Sequence, residues 1–187
     1  MDKVSMLLTL YSIVAGLGIS RLVQGVTAMI QVRSNLRFYW MHTAWIVIIF
    51  LAHIVSWFGL MRFATGAHWT VFNAMLTLFM PIALYVVSDL VVPPLNGERR
   101  TDLQEYFFHN CRWLAGLMLG FVALGGAVQL VVERHVDFSG GGLLRILTLV
   151  TLVAGVSSRR PAVQAAQALV LLAAGIAGAA LISVNLM

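Results

Sequence analysis

Charged residues are scarce in this sequence: aspartate, glutamate, lysine and arginine together make up 10% of its 187 residues. A soluble domain keeps about a quarter of its residues charged, because its surface must face water. Apolar residues account for 60% of the chain, and the mean hydropathy is +0.92. The composition therefore excludes an ordinary soluble domain and predicts that the lipid bilayer surrounds most of the chain.

Cysteine and lysine are almost absent. A single cysteine, Cys111, excludes an intrachain disulfide and a CxxC metal or redox site. The only lysine, Lys3, lies at the terminus, which excludes a Schiff base in the middle of a membrane. The motifs HExxH and GxSxG and a phosphate-binding glycine loop are also missing. We therefore predict no catalytic residue, no metal site and no enzyme activity, and the scattered basic residues predict no nucleic-acid partner.

Long apolar runs predict an all-α, polytopic transmembrane bundle. We expect six helices in a single domain over residues 1–187, at about residues 4–32, 38–61, 70–92, 102–132, 142–157 and 162–186. Most of these runs reach the ~20 residues that cross a hydrocarbon core, and they do not alternate as β-barrel strands would. The fifth is the shortest and contains Arg145, so we expect it to thin the bilayer, to snorkel its arginine or to lie against neighbouring helices.

The arginines predict the orientation. Seven lie in or near the loops after helices one, three and five: Arg33, Arg37, Arg99, Arg100, Arg112, Arg159 and Arg160. The opposite side holds four basic residues: Lys3, Arg62, Arg134 and Arg145. The positive-inside rule then places the first group in the cytoplasm and both termini on the outer, periplasmic side. Near the cytoplasmic start of helix four, Thr101 and Gln104 have the spacing of a capping box.

Arg21 and Asp89 are the most informative charged residues. Arg21 lies within the apolar part of helix one, so deep that we expect it not to reach water, and Asp89 is the only carboxylate in the apolar part of any helix. Helices one and three run in the same direction, which brings the two residues to similar depth. We predict a buried ion pair between them, because each charge alone would be costly. A purely structural salt bridge and a functional role both remain open.

Further polar residues mark helix three as a candidate for lining a pathway. The candidates are Asn73, Thr77, Pro81, Tyr85 and Ser88, together with Gln24 in helix one. Proline removes a backbone hydrogen bond and tends to kink a helix, so a polar, kinked helix ending near a carboxylate could line a conduit. Isolated polar residues and prolines are also ordinary in membrane bundles.

Histidines raise the alternative of a haem protein. His42 and His109 are expected at the same level, near the starts of helices two and four. Two histidines on neighbouring helices can be the axial ligands of a b-type haem. Interfacial histidines are common in membrane proteins, so we expect no haem and no other cofactor.

Three segments resemble stretches of small, uncharacterised, multi-helix bacterial inner-membrane proteins. They are Tyr11–Gly18 followed by Arg21–Leu22, Asp102–Phe108 followed by Arg112–Trp113, and Arg37–His42. The resemblance implies a bacterial inner-membrane location and implies no activity.

Three classes of function remain open from the sequence. The first is a channel or carrier for an ion or small solute, formed by a homo-oligomer because six short helices enclose little space on their own. The second is an assembly subunit without transport activity that binds a membrane partner, which small-residue faces such as Gly116–Gly120 would favour. The third is a haem-bearing redox protein.

Overall fold

The computed structural model describes residues 3–64, 69–95, 100–133 and 140–184. This part of the chain contains six α-helices: α1 (Lys3–Gln31), α2 (Trp40–Ala64), α3 (Val71–Val91), α4 (Leu103–Glu133), α5 (Gly140–Ser157) and α6 (Pro161–Val184). All six are long and apolar enough to cross a membrane. The predicted all-α transmembrane bundle is therefore confirmed, and six crossings return the chain to the side on which it starts.

The bundle is built around α2. This helix packs against α1, α3, α4 and α6, while α4 also packs against α3 and α5. The large side chains that fill the interior are fully buried, among them Trp45, Ile49, Leu84, Phe107, Leu114 and Leu152. The interior of a single chain is thus a packed core of aromatic and aliphatic groups.

One short parallel strand pair joins two connections at one end of the bundle. Strand β1 (Leu36–Arg37) follows a short 3-10 helix after α1, and strand β2 (Thr101–Asp102) directly precedes α4. Leu36 lies opposite Thr101 and Arg37 opposite Asp102. An Arg37 guanidinium nitrogen also lies 3.0 Å from a carboxylate oxygen of Asp102. The pairing ties the α1–α2 connection to the start of α4.

The predicted capping box, with Thr101 as the N-cap residue and Gln104 three residues later, is wrong: the N-cap is the next residue, Asp102. Asp102 caps α4, since its Oδ1 accepts hydrogen bonds from the backbone N–H groups of Gln104 (2.8 Å) and Glu105 (3.4 Å). Thr101 is instead part of the strand pair. Desolvation works to raise the pKa of Asp102, but these two N–H donors and Arg37 outweigh it and lower that pKa overall.

We call the end of the bundle that holds the strand pair and the α5–α6 turn the arginine-rich end. Its described arginines are Arg33, Arg37, Arg100, Arg112, Arg159 and Arg160. Arg99, Arg134 and the side chains of Lys3 and Arg62 lie outside the described residues. At the opposite end, the Arg145 side chain in α5 donates a hydrogen bond to the side-chain oxygen of Gln129 in α4. Arg145 thus contacts a neighbouring helix, as one of the three alternatives for this helix predicted.

Candidate functional site

Arg21 and Asp89 form a direct ion pair between α1 and α3. The Arg21 Nε atom lies 2.5 Å from the Asp89 Oδ1 atom. Gly25 of α1 packs against Val92, the residue that follows α3, so Arg21 lies only four residues, or about 6 Å, from the level at which α3 ends. The apolar span of α1 continues ten residues beyond Arg21, to Gln31, so the depth of the pair in the membrane stays a prediction.

The pair lies on the outer surface of the chain. The side chains of Arg21 and Asp89 are 36% and 56% exposed. The expectation that the chain itself buries the pair therefore does not hold. The ion pair is therefore accessible on the surface that α1 and α3 form together, outside the packed interior of the chain.

Two side chains from other helices hold the end of α3 in place. The Tyr106 hydroxyl of α4 donates to the carbonyl oxygens of Leu90 (2.8 Å) and Val92 (3.2 Å). The buried His42 of α2 donates from Nε2 to the carbonyl oxygen of Val91 (2.8 Å). The carbonyls of Leu90 and Val91 lie in the last turn of α3 and that of Val92 lies just beyond it, where the helix offers no N–H partner. The bonds fix the backbone that directly follows Asp89.

A second buried histidine joins α1, α2 and α3 next to the ion pair. His53 Nε2 lies 3.0 Å from Ser88 Oγ, and Ser88 uses its own proton to donate to the carbonyl of Leu84. Nε2 must therefore carry the proton and donate to Ser88. The His53 ring packs against Gly18 so closely that a β-carbon there would lie 2.7 Å from Nε2. The sequence did not single out His53, because its role depends on a contact between three helices.

The six candidates for a pathway do not line one space within the chain. Asn73, Thr77, Pro81 and Ser88 lie on the buried face of α3. Tyr85 and Gln24 face outward, and the Gln24 amide donates to Ser20 Oγ at 3.2 Å. Two of the candidates therefore share the outer surface with Arg21 and Asp89, and the others belong to the packed interior.

The outward face of α1 carries a polar stripe that runs along the whole helix. We use this name for the exposed residues Ser5, Thr9, Ser12, Gly16, Ser20, Gln24, Thr27 and Gln31. Their spacing of three or four residues places them on one side of the helix. The side packed against the bundle holds Tyr11, Ala15 and Leu22. Sequence reasoning missed the stripe, although its period was visible in the order of the residues.

Several hydroxyl groups of the polar stripe are satisfied by their own helix. Thr9, Ser12 and Thr27 each donate to the carbonyl oxygen four residues earlier, at 2.8 Å. Ser12 also accepts a hydrogen bond from Trp57 Nε1 at 2.9 Å. Such back-bonding lets serine and threonine occupy a membrane helix.

The two histidines proposed as haem ligands have different surroundings. The His42 ring is fully buried, with Nε2 bonded to Val91 and its edge against Tyr106. His109 is exposed and lines an open pocket with Glu105 and Arg159. The described residues hold no group of three or more His, Cys, Asp and Glu side chains arranged for a metal ion.

Comparison with known proteins assigns no family to this chain. No protein-family model, no curated protein and no solved structure matches it.

Proposed function

We propose that this integral membrane protein forms a homo-oligomeric pathway for an ion or small solute in the bacterial inner membrane. The passage lies between copies of the chain. The polar stripe of α1 lines it, and the Arg21–Asp89 pair stands at its arginine-rich mouth. The positive-inside rule orients that mouth toward the cytoplasm and both termini toward the periplasm. A reporter fused after residue 187 tests the orientation, and cytoplasmic activity there would reverse it.

The polar stripe is the observation that carries this proposal. Polar groups within a membrane are usually directed at protein or at a water-filled cavity, because lipid offers them no hydrogen bonds. Here large apolar side chains dominate the packed interior, where buried polar groups such as His53 and Ser88 bond to each other, while the polar stripe of α1 points away from it. Copies that meet along α1 would enclose these residues together with the half-exposed ion pair.

Flux through proteoliposomes tests the proposal. Purified protein is reconstituted with gradients of sodium, chloride and glycerol, and release is compared with protein-free vesicles. Ser20→Trp places a bulky ring in the polar stripe and should lower flux at least tenfold. Val150→Trp makes the same change on the exposed face of α5 and should leave flux unchanged. An equal effect of the two substitutions would contradict a passage along α1.

The second candidate function is that of an assembly subunit without transport activity. The observation that favours it is that the hydroxyl groups of Thr9, Ser12 and Thr27 donate their hydrogen bonds within α1 itself. Such a surface needs no water and can pack against a partner helix through small side chains. Disulfide crosslinking of Ser20→Cys in a Cys111→Ala background separates the two functions. Crosslinked copies without flux of any tested solute would support the assembly role.

A further inference from the structure

A pocket at the arginine-rich end lies between α4 and the α5–α6 turn. Its lining residues are Gln104, Glu105, Phe108, His109, Arg159 and Pro161, and its volume is about 580 Å³. Gln104 and Glu105 belong to the first turn of α4, and Pro161 is the first residue of α6. The pocket therefore opens at the level where the apolar spans begin, which is the level of the lipid headgroups.

The charge around the pocket is positive. Arg159 lines it, Arg160 is the next residue, and both Arg159 and Arg112 lie close enough to Cys111 for their charges to act on that side chain. Among the described residues, none of these three arginines has a carboxylate within ion-pair distance. Glu105 and Arg159 are the one acid and the one arginine in the lining, so Arg112 and Arg160, which are close to the pocket but outside its lining, make the local charge positive. Basic pockets between membrane helices are suited to phospholipid headgroups.

Small residues continue from the pocket along α4, and we call the surface over Gly116, Gly120 and Ala123 the groove. Gly116, Gly120 and Ala123 follow His109 at helical spacing on the same side of α4. No atom lies within 4 Å of the position that a β-carbon of Gly120 would occupy. Trp113, which is 69% exposed, stands beside the groove. An acyl chain descending from a headgroup in the pocket would run along this groove.

We propose that the pocket and the groove together bind one anionic phospholipid. The phosphate group is held by Arg159 and His109, and one acyl chain lies over Gly116 and Gly120. The groove distinguishes a lipid from free phosphate, because only a lipid has a chain to fill it. Glu105 weakens the positive potential, so this carboxylate limits the affinity for an anionic headgroup. The site is separate from the polar stripe and does not depend on the proposed transport.

Quenching of Trp113 fluorescence by brominated lipids tests the site. The full-length protein is placed in phosphatidylcholine vesicles that contain increasing fractions of dibrominated phosphatidylglycerol or dibrominated phosphatidylcholine. The Trp113 signal is the difference between wild type and Trp113→Phe. The brominated phosphatidylglycerol should half-saturate this signal at a roughly fivefold lower fraction than the brominated phosphatidylcholine, the effect expected of about 1 kcal/mol from one arginine at a membrane surface.

Matched variants identify the residues responsible. Arg159→Gln should remove the preference, while Arg33→Gln, an exposed arginine at the same end but outside the pocket, should retain it. Gly120→Leu should weaken quenching by both lipids, whereas Gly59→Leu, where a β-carbon also meets nothing, should not. Glu105→Gln should strengthen the preference.

Three results would overturn the proposal. The first is equal quenching of the wild type by the two lipids. The second is an equal loss of preference in Arg33→Gln and Arg159→Gln, which would show diffuse attraction to a basic surface. The third is removal of the preference by 10 mM inorganic phosphate at constant ionic strength, which would show a site for free phosphate. Unfolding midpoints equal to that of wild type establish that the variants are folded.

Discussion

Removing one member of the Arg21–Asp89 pair should cost far more than removing both. The contact joins α1 to α3 at 2.5 Å, within the apolar spans of both helices. A lone charge costs about 2.5–3.5 kcal/mol at the centre of a membrane helix. Asp89 lies two residues before the end of α3, and the pair is half-exposed, so we expect about 2 kcal/mol for Arg21→Met or Asp89→Asn.

The double substitution should restore part of this loss, because no unpaired charge remains. We expect a coupling free energy of about 3 kcal/mol between the two sites, so that the double variant is destabilised by only about 1 kcal/mol, measured by equilibrium unfolding of the purified protein in mixed micelles. Independent sites agree with additivity within about 0.3–0.5 kcal/mol. Additive effects within that range would refute the reasoning. If the pair also belongs to the pathway, the double variant should regain stability without regaining flux.

Three further substitutions test the packing and the connections. Gly18→Ala should destabilise the protein by about 1–3 kcal/mol in the same assay, because the added methyl group would meet the His53 ring. The control is Gly16→Ala, which has open space around it and should change the free energy of unfolding by less than about 0.5 kcal/mol. Tyr106→Phe should cost about 1 kcal/mol, because it removes the donor to two carbonyls at the end of α3; no change would contradict that role. The pKa of Asp102 is lower in the folded protein than in the unfolded chain, so ionised Asp102 stabilises the fold. This stabilisation is fully present above about pH 4 and is lost as the pH falls through the pKa that Asp102 has in the folded protein. The melting temperature of Asp102→Asn should therefore lie below that of wild type at pH 7, and the gap should close on acidification.

The architecture could be predicted from the sequence because lipid imposes simple rules. Six apolar runs of spanning length leave few alternatives to six helices. The contact between Arg21 and Asp89 was also predictable, since helices of the same direction bring residues of equal depth together. The exposure of the pair was not predictable. It depends on which side of α1 packs against α3, and only the assembled bundle determines that.

Local signals were less reliable where two residues competed for one role. Thr101 and Asp102 are both residue types that cap helices. In the structure Thr101 pairs with Leu36 in a strand, so Asp102 is the cap. The buried His42 shows a different limit. Its hydrogen-bond partner is the backbone carbonyl of Val91. Every residue has such a carbonyl, so the residue types cannot indicate which one binds a buried histidine.

The central claim is that water reaches the polar stripe of α1, and cysteine labelling in membranes tests it most directly. Single cysteines are introduced into a Cys111→Ala chain, which has no other cysteine. A charged, membrane-impermeant methanethiosulfonate should label Gly16→Cys and Ser20→Cys. It should leave Ile146→Cys and Val150→Cys, on the exposed apolar face of α5, unlabelled. Equal labelling of the two helices, or none at Gly16 and Ser20, would contradict a water-filled passage between copies.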